Sequence, residues 1–181
     1  MFCSGSDGKI YQWRPDAGSG SPDATGIQIT NSPVGNTALL VSNERHLICL
    51  GSANDPRKVA WSSREANTIW TAASTNTAGD LNIPTGGRIL GAKKWNSDII
   101  IFTDTGINKM YYTGSPFIYG IQDAGTSCAT ASIRSVVSTG NFLAWFGENG
   151  FFMYDGGVKE IPCDVHDYIS VSYTHLRAHE T

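Results

Sequence analysis

Charge is scarce in this chain. Asp, Glu, Lys and Arg make up 16% of its residues, against about a quarter in an average globular domain. Sustained helical spacing of apolar residues is missing too, so helix should be scarce. No apolar run approaches the roughly 20 residues that a membrane-spanning helix needs. Cys3, Cys49, Cys128 and Cys163 lie far apart, without a C-x-x-C pair. That spacing suits buried free thiols on strands, with a disulfide or a metal pair as the alternative. Such cysteine usage suits assembly in a reducing cytosol. G-x-S-x-G, a Walker loop and H-E-x-x-H are all absent, so no catalytic nucleophile, cofactor or metal is expected. The net charge of −3 argues against a basic nucleic-acid groove. Phe2-Cys3-Ser4-Gly5 runs straight into a turn and shows no signal-peptide pattern.

What is present is glycine, 20 residues of it, and a 40% hydrophobic content arranged in short runs. That combination fits β-rich structure rather than disorder. Three stretches, 38–63, 88–114 and 132–157, share one pattern. Each reads as an apolar strand, a polar turn, a second apolar strand, a tight turn and a third strand ending near an aromatic. The first turns are Asn43-Glu44-Arg45, Asn96-Ser97-Asp98 and Thr139-Gly140-Asn141. The second turns are Asn54-Asp55-Pro56, Asp104-Thr105-Gly106 and Glu148-Asn149-Gly150. The aromatics are Trp61, Tyr111 with Tyr112, and Tyr154. The starts Ala38, Arg88 and Ser132 are 50 and 44 residues apart. Fourth strands are expected within 24–33, 79–85, 117–125 and 158–165. A partial copy at the start carries Tyr11 and Trp13.

A repeat of this length built only from short strands predicts an all-β fold, a partial β-propeller of about three and a half four-stranded antiparallel blades. In 99–103 both alternating sets are largely apolar, which predicts a strand buried on both faces. Gly and Asn at the turns supply positive φ. An incomplete ring would leave sheet edges open, so residues 1–170 are expected to be part of a longer protein that associates through them.

Residues 171–181 stand apart. Val171-Ser172-Tyr173-Thr174-His175-Leu176-Arg177-Ala178-His179-Glu180-Thr181 resembles one reading frame of a transposase adapter used in sequencing libraries. The biological chain is then expected to run out near Ser170, with a disordered, non-functional tail. That removes His175 and His179 from any metal-site argument.

Few residues suggest chemistry. Asp104-Thr105-Gly106 and Ser6-Asp7-Gly8 resemble the Asp-box hairpins of sialidase-like propellers, but Phe102 and Lys109 break the pattern; Asx turns are the simpler reading. Asp164, His166 and Asp167 could offer metal or acid–base groups, or be solvated loop polarity. His46 is expected to be a satisfied strand-edge histidine. Trp61, Trp70, Trp95 and Trp145 are expected to fill gaps between sheets rather than line a sugar site. Asp55-Pro56-Arg57-Lys58 places two cations in a hairpin turn. Asp55, Arg57 and Lys58 are therefore candidates for a contact with a neighbouring subunit, a solvated turn being the alternative.

Several runs resemble structural proteins of tailed bacteriophages. They are Arg45 to Gly51, Asp55 to Ser62, Thr68 to Thr71, Thr77 to Gly79 and Gly87 to Ile89. Phe102 to Asp104, Tyr119-Gly120, Gly150 to Gly156 and Ile161 to Val165 complete the set. Together they are similar to β-propeller proteins of the tail or neck, including packaged-DNA stabilisation proteins. The resemblance covers about residues 1–170. It implies a non-catalytic virion component, assembled in the bacterial cytoplasm, that helps retain or conduct DNA. The implied partners are other tail or neck proteins and copies of itself, with DNA met only in passage. A weakly acidic wall suits a conduit that should not grip phosphates. Two alternatives are a carbohydrate-binding propeller and a glycoside hydrolase, which needs two carboxylates about 5–10 Å apart across a cleft.

Overall fold

A computed structural model of the chain describes residues 2–3, 7–16, 18, 20–147 and 149–163. Among them are fifteen strands, two short 3-10 turns at Ser52–Asn54 and Ile133–Ser135, and no α-helix. The strands form four antiparallel sheets, each following chain order. The first holds β1 (Phe2–Cys3), β2 (Ile10–Gln12) and β3 (Ile27–Gln28). The second holds β4 (Ala38–Val41), β5 (Leu47–Leu50), β6 (Lys58–Trp61) and β7 (Gly79–Asn82). The third holds β8 (Ile89–Trp95), β9 (Asp98–Thr103), β10 (Gly106–Gly114) and β11 (Ile118–Thr126). The fourth holds β12 (Val137–Ser138), β13 (Leu143–Gly147), β14 (Gly150–Tyr154) and β15 (Val158–Ile161).

The all-β reading holds, and each aligned stretch yields the first three strands of a sheet. The expected fourth-strand segments contain β3, β7, all but the last residue of β11, and β15. In the partial copy β2 is the strand bearing Tyr11, paired with β1 and β3. One boundary differs. Residues after Ser132 turn rather than extend, because Ser132 Oγ accepts the Arg134 N–H at 3.2 Å and the Ser135 hydroxyl donates to the Ser132 carbonyl at 2.7 Å. These local bonds compete with a ladder, and β12 begins only at Val137.

The sheets stack face to face in chain order. Ile99 and Ile101 of β9 join Ile48, Leu50 and Trp61 in one core, while Ile100 and Phe102 join Leu143, Trp145 and Phe152 in the next. The third sheet is therefore packed on both faces, as the double apolar alternation of 99–103 requires. The second sheet is packed on both faces too. Leu47 and Cys49 meet Ile10 of the first sheet, and Ile48 and Leu50 meet the third. The first strands of the sheets lie side by side, β1 near β4, β4 near β8 and β8 near β12.

The turns join the stack at one end. The Asn43 amide donates to the Asn96 carbonyl at 3.1 Å, and Lys94 donates to Asn43 Oδ1 at 3.4 Å. The Trp95 indole reaches the Asn141 carbonyl at 3.0 Å. Asn96 adopts the left-handed conformation expected of Asn, φ 53°. In the β4–β5 turn that position falls to Arg45, φ 66°, and Asn43 is left to bridge to the third sheet.

Close packing fixes at least one glycine. A Cβ on Gly79 would lie 2.6 Å from Cζ2 of Trp61, so the β6–β7 ladder closes there only without a side chain.

Candidate assembly surface

The Asp55-Lys58 turn is held by its own chain. Asp55 Oδ1 accepts the Arg57 N–H at 2.9 Å, an Asx turn, and Asp55 Oδ2 accepts from Asn82 at 3.3 Å. The Arg57 guanidinium donates to the Ile83 carbonyl at 2.8 Å and to the Pro84 carbonyl at 3.3 Å. Lys58 pairs with Asp80 across the β6–β7 ladder at 3.1 Å. The Ile89 N–H reaches the Pro56 carbonyl at 2.9 Å, so the turn also anchors the start of the third sheet. Asp55, Arg57 and Lys58 are thus together, and each has an intramolecular role.

Other polar candidates likewise act on the fold. Asp104 Oδ1 accepts the backbone N–H groups of Gly87 and Arg88 at 2.9 and 3.2 Å, clamping the approach to β8. The hairpin itself is closed by Thr103 Oγ1, which accepts from Gly106 N at 3.0 Å and donates to the Gly106 carbonyl at 2.9 Å. Asp104 therefore staples a neighbouring loop instead of forming an Asx turn. Asp7 does form one, accepting the Lys9 N–H at 2.9 Å. Ser6 of that hairpin lies outside the described residues, as do Asp164, His166, Asp167 and the whole of 171–181.

His46 is fully buried and lies just before β5. Its Nε2 is 3.0 Å from Thr77 Oγ1 and its Nδ1 2.9 Å from the Tyr119 hydroxyl. Tyr119 Oη also contacts Ser42 Oγ at 2.7 Å and Glu44 at 3.2 Å, tying β11 of the third sheet to the β4–β5 turn. Burial lowers the His46 pKa, with nearby Arg64 adding to the effect and Glu44 opposing it. Burial pushes the Tyr119 phenol up. The network is a satisfied polar joint between two sheets.

All five tryptophan indoles donate to loop carbonyls. Trp61 reaches Thr77 at 2.9 Å and Trp145 reaches Cys128 at 2.8 Å, both rings being buried. Trp70 packs on the first core and Trp95 on the third-to-fourth core. The four anchors thus fill space between sheets, and their polar edges pin the loops. Cys49 is buried on a strand, and Cys128 is a buried free thiol in a loop, where burial pushes it up to about 11.

A cleft of about 260 Å³ opens beside Asp104, Thr105, Ser127, Asn149 and Phe152. Among the described residues that line it, the one carboxylate is the Asp104 group already holding the backbone. No cluster of three or more His, Cys, Asp or Glu side chains placed to hold a metal occurs among the described residues. No described helix is long and apolar enough to cross a membrane.

The fourth sheet carries a surface that the sequence reading did not single out. Leu143, Trp145, Phe152 and Tyr154 face back into the core shared with the third sheet. The intervening residues form two apolar rows on the other face. Val137, Ala144 and Met153 run across the ladder to Lys159, and Phe146 and Phe151 run to Ile161. The Phe146 and Phe151 rings lie 5.1 Å apart. Val137 is 58% exposed and Ile161 37%, and the three buried core clusters all lie elsewhere. The signal was present in the alternation of 143–147 and 150–154, which is apolar on both faces like that of 99–103.

No protein-family model matches the chain, and no curated protein matches it.

Proposed function

We propose that this chain is an arc of a β-propeller serving as a non-catalytic wall element of a tailed-bacteriophage tail or neck. The observation that carries the reading is the ordered stack, with successive meanders packed face to face and their first strands side by side. In a propeller the first strands gather around the axis and the sheets fan outward, each covering its neighbour. The apolar outward face of the fourth sheet supports a role in assembly, since exposed apolar patches mark interaction sites. Its partners on this reading are copies of itself and other tail or neck proteins, and packaged DNA passes without sequence-specific contact. The net charge of −3 suits such a wall. The place of action is the virion, after assembly in the host bacterial cytoplasm.

The carbohydrate-binding alternative asks for clustered exposed tryptophans. Of the five, only Trp13 is strongly exposed, and its indole N–H donates to Asp23.

The test is the phage itself. The gene should lie beside portal, terminase or tail genes, and peptides of this chain should be found in purified particles. A gene set among glycan-processing enzymes, or glycan hydrolysis by the purified protein, would reject the structural role.

A further inference from the structure

The hairpin between β10 and β11 ends in an exposed aromatic. Phe117 is 79% exposed, the most open large apolar side chain among the described residues. β10 continues from Tyr111 to Gly114 past Met110, its last partner on β9, so the tip stands clear of the β8–β9 turn. The backbone is strained at the next residue. Ile118 has φ 60°, and the Tyr119 N–H closes back on the Phe117 carbonyl at 2.7 Å. A three-residue turn of that hand is rare, and a β-branched residue at positive φ is an outlier. Such strain persists only where the surroundings over-determine it. Here Ile118 is buried in the core shared with the second sheet, and the Tyr119 hydroxyl is held by Ser42 and His46. With both following residues fixed inside, the chain turns Phe117 out into solvent.

A cleft of matching size opens at the same end of the stack. It holds about 160 Å³ between Val41, Leu47 and Ala66, with Arg45 and Glu65 paired at its rim. A volume of about 150 Å³ accommodates a benzene ring. Val41 is 45% exposed and Leu47 is buried. The largely exposed Arg45 side chain offers a cation for a ring face. Arg45 belongs to the β4–β5 turn, which Tyr119 touches through Ser42 and Glu44, so cleft and tip lie at one end. The second sheet stands between them, since Leu47 faces the first sheet and the hairpin belongs to the third. Phe117 therefore does not fill the cleft of its own copy. A two-fold axis midway between tip and cleft carries each Phe117 onto the cleft of another copy.

We propose that two copies of this chain pair end to end across such an axis, each seating Phe117 between Val41, Leu47 and Ala66 of the other. The contact is isologous, so it closes at the dimer. The turns around the cleft carry both signs, Glu44 and Glu65 beside Arg45 and Arg64, so the pairing sets no single charge against itself. The dimer goes beyond the virion role and does not depend on it.

Sedimentation velocity of the full chain over a concentration series tests this without any phage component. The wild type should form a reversible dimer. Phe117→Ser should weaken it at least about tenfold, which is about 1.4 kcal/mol. Val41→Arg, which crowds the mouth of the cleft, should do the same. Melting curves check that each variant is folded. The Phe117→Ser copy keeps its cleft and the Val41→Arg copy keeps its ring. A mixture of the two should therefore associate more strongly than either variant alone. A wild type that stays monomeric, association unmoved by either variant, as open sheet edges would give, or mixing that restores nothing would overturn the proposal.

Discussion

His46 shows how much a single side chain can be asked to do between two sheets. It is fully buried, and both ring nitrogens have partners at 2.9 to 3.0 Å. Burial holds its pKa below the ordinary value of 6.5, so the folded state disfavours the charged ring. The unfolded chain then binds more protons below that value, and stability must fall as pH drops through it toward the folded pKa. Above 6.5 both states are neutral at this residue and the effect vanishes. The melting midpoint should therefore fall between about pH 7.5 and about pH 5.5, and His46→Gln should flatten that slope. An equal slope in the variant would remove His46 from the account. The sequence reading placed this residue correctly as satisfied. It did not reveal Tyr119, because the two lie 73 positions apart and only the stacking of sheets brings them together.

At the scale of elements, the hairpins were legible and the links between them were not. Apolar alternation and turn residues located the strands well, since both signals are local. The aromatic near the end of each third strand looked like one repeated position. In the structure Trp61 faces the following sheet and Tyr154 the preceding one. A one-residue change of register moves a side chain to the other face, so a similar spelling does not guarantee a similar place. The β5–β6 connection makes the same point. Arg57 and Lys58 look interchangeable as turn cations, yet Arg57 holds two carbonyls of the loop before β8, while Lys58 holds only Asp80. Arg57→Ala should cost about 1 kcal/mol of stability and Lys58→Ala distinctly less, both read from denaturant midpoints. Equal costs would show that the guanidinium does not anchor that loop. A subunit-contact test at this turn is accordingly cleaner with Lys58→Glu than with charge reversal at Arg57.

At the scale of the whole molecule, the ordered stack follows from a physical demand on the strands. A strand apolar on both faces needs a sheet on each side, and β9 meets that demand with the second and fourth sheets. The residues of β13 and β14 carry the same double alternation, with Phe146 paired to Phe151 and Ala144 to Met153 on their outward rows. The sequence announced the repeat, but the face each residue takes depends on registers and bulges that spacing alone does not specify. The ladder slips at Ile107/Asn108, where Ala124 of β11 is the extra residue, and at Tyr112/Gly114, where Thr113 of β10 is, so each strand changes the phase of its pattern once along its length.

The central claim is that the sheets fan from adjoining first strands. Pulsed electron-spin distances measure it directly. One label pair belongs on the inner strands, at exposed Val41 of β4 and Lys94 of β8, and one on the outer strands, at exposed Leu81 of β7 and Gln122 of β11. The inner distance should be clearly the shorter of the two. Equal distances, as in a flat sandwich, or a longer inner distance would contradict the account.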